Sequence, residues 1–160
     1  MSDMPILTQR RIEAGFAKGV YDEMKAELGE ETAKRILSRA VIAMAKATAA
    51  EMAKAQDGLD GFRAVFPRWT AEDALRIDVL KSTATEFDFN VTKCRYAEMY
   101  REMGLAELGA ALSCNRDGAF CEGFDKRLKL TRTQTIMGGA DHCDFRYRQE
   151  SDASEPGQRD

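Results

Sequence analysis

The chain is 160 residues long, enough for one domain that buries most of its apolar side chains without disulfide staples. Its 24 basic and 27 acidic residues are interspersed and sum to −3, with a pI near 5.4, which excludes the basic footprint of a nucleic-acid binder. No stretch approaches the roughly 18 apolar residues of a membrane span, and the opening MSDMPILTQRRIEAG lacks an apolar leader, so the reading is a cytoplasmic protein whose Cys94, Cys114, Cys121 and Cys143 are free thiols.

From Ile6 to Leu28, Ile12, Phe16, Val20, Met24 and Leu28 recur every four positions, which predicts a helix with that side against a partner. Gly29 breaks it. Ala33, Ile36, Leu37, Ala40, Val41, Met44, Ala47 and Thr48 then mark a second helix to about Lys54, an antiparallel neighbour of the first. Its Met and Ala stripe fits ordinary helix packing, a ligand cavity or the seam of a homo-oligomer. DGLDG over 57–61 reads as a turn, and a short helix carrying Phe62, Val65 and Phe66 should stop before Pro67.

Between Leu75 and Lys93 the apolar period becomes two, so 75–93 reads as a hairpin, with Cys94 falling on the side of Asn90 and Thr92. Helical spacing returns over 95–112, interrupted at Gly104 and Gly109, and a short helix follows over 114–123. Strands near 127–137 and 142–148 flank the Gly-rich GGAD turn. The predicted fold is α+β and spans 1–150: two long N-terminal helices and a helical middle packed on a four-stranded antiparallel sheet made of two hairpins. The tail 151–160 lacks apolar residues and is expected to be disordered.

Most site-type residues fall between 113 and 147. Cys114 precedes Asn115, a good N-cap, where backbone N–H groups and the helix dipole favour a thiolate; a buried structural thiol is the alternative. Asp117, three positions on, could share a helix side with Cys114 as a general base, or simply complement the dipole. Arg132 continues the apolar strand side of Leu128 and Leu130, and a core side that turns polar suggests a pocket whose arginine takes a carboxylate, or else a salt bridge at the sheet margin. Alternation puts His142 and Asp144 on one side with Arg146, and Cys143 on the core side with Phe145 and Tyr147. Cys94, Cys114, Cys143 and His142 have zinc-binding chemistry, but no CxxC or HxxxH spacing, so no metal is expected. With no phosphate-cradling Gly loop and no GxSxG elbow, no cofactor is expected either.

The run SCNRD, EGF, LxLxRTQTIMxGAxHCDFRY, together with FNVTKCRYAEMYREMGL upstream, resembles the L-2-amino-thiazoline-4-carboxylic acid hydrolases over roughly 69–149. The resemblance implies a hydrolase that opens a cyclic amidine or isothiourea to an N-carbamoyl cysteine. It implies Cys114, Asp117 and His142 as catalytic residues, and Asn115, Arg132, Asp144 and Cys94 around a small-molecule substrate. The cysteine, strand and CDFR ending also looks like the vinyl-4-reductase type of small-molecule-binding domain, a sensor or assembly module without catalysis.

Overall fold

Gly29 takes φ +84°, a left-handed conformation that strains any residue with a Cβ, and this single residue separates two long helices. They are α1 (Ile6–Leu28) and α2 (Glu30–Ala53). Ile6 at the start of α1 and Met44, Ala45 and Thr48 late in α2 face the same cavity, so the pair runs antiparallel as expected. The computed structural model describes residues 4–151, so the expected disordered tail lies, beyond Ser151, outside the described residues. No helix in this span is long and apolar enough to cross a membrane.

The apolar stripe of α1 is not its inner face. Ile12, Phe16 and Val20 are 60, 79 and 43 % exposed, whereas Ile6, Ala14 and Tyr21 are buried and Met24 packs at the edge of the core. After α2 the DGLDG segment is mostly helix rather than turn: α3 (Gly58–Val65) begins inside it, and Pro67 opens α4 (Pro67–Thr70), its missing N–H harmless at a first helical position.

The sheet follows the predicted class, an antiparallel order β1-β2-β4-β3 built from the hairpins β1 (Leu75–Ser82) with β2 (Glu86–Cys94) and β3 (Leu128–Thr131) with β4 (Cys143–Gln149). The register between β1 and β2 shifts between Arg76 and Ile77, leaving Thr92 unpaired. This bulge inverts the alternation beyond it. Cys94 therefore packs against the core instead of staying on the side of Asn90 and Thr92, and its sulfur accepts the Ala97 N–H at 3.4 Å to cap α5 (Arg95–Glu102).

β3 ends well before the expected 137. The amides of Thr133 and Gln134, which would extend its ladder, both donate to Asp144 Oδ1 at 2.9 Å, so a side chain replaces strand pairing. Phe87, Phe89, Val91, Cys143, Phe145 and Tyr147 are buried on the sheet's inner face. The outer face is polar, with Arg148 paired to Asp88 and Arg146 Nη2 donating to Asn90 Oδ1 at 3.0 Å.

The last helix, α6 (Asn115–Phe124), packs on α2. Asn115 Nδ2 donates to Ser38 Oγ at 3.0 Å, and a Cβ on Gly123 would come within 2.5 Å of the Lys46 carbonyl oxygen. Eight residues of α6 thus track eight of α2, and the two run parallel in close contact. Two apolar clusters result, one between α1, α2 and α5 and one between the sheet, α3 and α6; Trp69, Leu75 and Cys94 touch both.

Candidate active site

Where the two clusters meet, the packing leaves a cavity of about 120 Å³. An apolar cavity of roughly 150 Å³ accommodates benzene, so this one has the scale of a single small ring. Its walls are strongly aromatic, with Phe62, Phe66, Trp69, Phe89, Phe120, Phe145 and Tyr147 among the lining residues. The Trp69 and Phe120 rings meet edge to face at 5.1 Å, and Phe89 and Phe145 stack at 5.0 Å.

One side of this apolar space is charged. α6 turns Arg116, Asp117 and Phe120 toward the cavity, and the first turns of α1 bring Arg10 and Glu13. Glu13 Oε2 accepts from Arg10 Nη1 at 3.0 Å and from Arg116 Nη2 at 2.8 Å, while Arg116 Nε donates to the Leu112 carbonyl at 2.7 Å. Burial, and next the nearby Arg10 charge, weaken the hold of Arg116 on its proton.

Asp117 is ion-paired with Arg132, whose Nη2 also donates to the Cys114 carbonyl at 3.2 Å and whose guanidinium lies 5.1 Å from the Phe145 ring centre. Asp117 keeps 30 % of its side chain accessible and lines the cavity. Burial raises its carboxyl pKa above the ordinary value, with the charge and hydrogen bond of Arg132 working against that shift. A largely buried carboxylate held in orientation by an arginine has the geometry to accept a proton from a group in the cavity.

Cys114 departs from expectation. Ala110–Cys114 forms a π turn that runs directly into α6, so Cys114 has helical φ −60° and ψ −31° and Asn115 caps nothing. The free N–H groups that would favour a thiolate are not there, and the thiol is pushed up to about 12, by burial first and then by the Asp117 carboxylate. Cys114 is also not among the cavity's lining residues. Cys94 is pushed up to about 11, chiefly by burial.

The other expected residues lie elsewhere. Asn115 is exposed and engaged with Ser38, and Arg132 is taken up by Asp117. Asp144 is on the outer face of the sheet, as alternation required. Burial opposes its ionisation, but the Thr133 hydroxyl and the Gln134 and Thr133 amides hold its pKa down at about 2. His142 precedes β4, with Nδ1 2.5 Å from Asp141 Oδ1 and its carbonyl accepting from Gln134 Nε2 at 3.0 Å, off the cavity wall. Cys143 is buried beside Phe145 and Tyr147, as predicted, its sulfur accepting the Ile136 N–H at 3.2 Å. Sequence reasoning missed Arg10, Glu13 and Arg116. Arg116 stands within the SCNRD motif, whereas nothing local marks the α1 pair.

The family model of the L-2-amino-thiazoline-4-carboxylic acid hydrolases matches residues 9–147, nearly the whole described fold. The chain belongs to this family. The match takes in Arg10, Glu13, Arg116, Asp117 and every aromatic wall of the cavity, and extends the resemblance from about 69 back through both long helices. A search of curated proteins returns no match. Among solved structures, the family member is similar to the phenol-responsive sensory domain of the transcription activator PoxR, determined with phenol: TM-score 0.52, 16% identity, covering 85% of this chain and 73% of that one. At that identity the likeness shows a shared fold.

Proposed function

We propose that the chain hydrolyses a small cyclic amidine or isothiourea such as L-2-amino-thiazoline-4-carboxylate, within the aromatic cavity and with Asp117 handling the proton. The observation that carries this reading is the placement of Asp117: a desolvated carboxylate, fixed by Arg132, on the wall of a one-ring cavity in a chain of this family. Water adds to the ring carbon between sulfur and nitrogen as Asp117 takes its proton and delivers it to the ring nitrogen. The carbon–sulfur bond then breaks as the new hydroxyl becomes a carbonyl. Its proton ends on sulfur, giving an N-carbamoyl cysteine. Arg132 is the positioning residue for Asp117, and Cys114 contributes its carbonyl to that arrangement rather than a nucleophile.

A second reading, ligand binding without turnover, is favoured by the fold shared with a sensory domain and by a cavity of phenol-like size. Incubating the purified chain with the aminothiazoline carboxylate and following the N-carbamoyl product by mass separates the two. Catalytic turnover supports the hydrolase. A thermal shift with thiazoline or phenol, unaccompanied by product, would establish the binding domain instead.

A further inference from the structure

Arg10 and Arg116 on the cavity wall share the carboxylate of Glu13, while the other carboxylate on that wall, Asp117, is paired with Arg132. The side chains of Arg10 and Arg116 are only 12 and 13 % exposed. A positive surplus held away from water is costly unless an anion meets it. Asp117 and Arg132 satisfy each other, so the surplus sits on Arg10 and Arg116, which share a single carboxylate.

That carboxylate has unusual placement. Glu13 is one turn after Arg10 on α1, while Arg116 reaches across from α6, so Glu13 is held between two elements by two arginines and remains 25 % exposed. Arg116 is fixed from behind by the Leu112 carbonyl and would keep its direction if Glu13 left. Phe120, one turn on along α6, presents a ring to the same space.

We infer that Arg10 and Arg116 form an anion clamp for the ligand's carboxylate, and that Glu13 occupies the clamp in the empty protein as an internal stand-in. A bound acid displaces the Glu13 carboxylate, takes its place between the guanidiniums, and lays its ring against Phe120 and Trp69. The ligand class is a single-ring acid, and α1 is the element that senses its arrival. The inference rests on the cavity being the ligand site, as proposed above, and not on turnover.

The test is calorimetric, with benzoate and its neutral isostere benzamide as probes and three variants of the full chain. Benzoate should bind at least about tenfold more tightly than benzamide, a difference of about 1.4 kcal/mol. Arg116→Gln should erase that preference while benzamide affinity stays within about threefold, and Arg10→Gln should reduce it. Glu13→Gln should raise benzoate affinity several-fold, a gain that a misfolded variant cannot give. Equal binding of the two probes, a preference that survives Arg116→Gln, or weaker benzoate binding in Glu13→Gln overturns the clamp. If neither probe binds, the cavity is not the ligand site and the clamp falls with it. Selective benzoate binding without thiazoline turnover keeps the clamp and removes the hydrolase.

Discussion

Asp117 and Cys114 are neighbours in sequence with opposite fates in the fold. Asp117 was readable as a base candidate because an acid early in a helix, beside a cluster of site-type residues, is a local pattern. The N-cap geometry expected to favour a thiolate at Cys114 is absent because the π turn before Asn115 runs into α6, and no local pattern announced that turn. Replacing Asp117 by Asn should lower kcat by roughly 100-fold or more while leaving the fold in place, the range expected for loss of a general base. Cys114→Ser should retain kcat within about threefold; a dead but folded Cys114→Ser enzyme would restore the nucleophile. Asp144 supplies a pH signature. Its folded pKa of about 2 lies below the usual carboxylate value near 3.9, so the stability it contributes is present above about pH 4 and lost as pH falls toward 2. Acid titration of Asp144→Ala should therefore show less loss of stability across that window than the parent. Identical curves would mean that the Thr133 and Gln134 contacts do not form in solution.

At the scale of elements, the hairpins and helices were legible because each carries its own period, but which face points inward was less so. A spacing of four residues advances about 40° per step around a helix, so the stripe from Ile12 to Leu28 winds across α1 instead of marking a face. The buried residues Ala14 and Tyr21 are small or polar and left no hydrophobic signal. The bulge at Thr92 and the short β3 were hidden for a related reason: one depends on cross-strand register and the other on a side chain ten or more residues away. The α2–α6 contact carries Asp117 and can be probed with two glycines of one helix. Gly123→Ala pushes a Cβ into the Lys46 backbone and should cost about 1–2 kcal/mol net of improved helix propensity. Gly118→Ala meets nothing within 4 Å and should stabilise by roughly 0.5–1 kcal/mol. Denaturant unfolding of both variants checks the pair, and the same sign for both would contradict the close packing of α2 and α6.

For the whole molecule, the α+β class and sheet of two hairpins followed from the sequence of periods, whereas the cavity did not, because its charged wall joins Arg10 and Glu13 of α1 to Arg116 and Asp117 of α6 across about a hundred intervening residues. Phe16, 79 % exposed, contributes little to the folded chain itself. Phe16→Ser should therefore leave unfolding free energy within about 0.5 kcal/mol, independent of protein concentration. A larger, concentration-dependent loss would reveal a second copy covering α1, the homo-oligomer that the N-terminal helices suggested.

The aromatic cavity lies where the two apolar clusters join. A ligand bound there would contact both the long helices and the sheet, and at a hundredfold excess over Kd it would add about 2.7 kcal/mol to the stability of the whole. Ligand affinity and global stability are thus coupled through this cavity, and a rise in Tm with added ligand would report its occupancy.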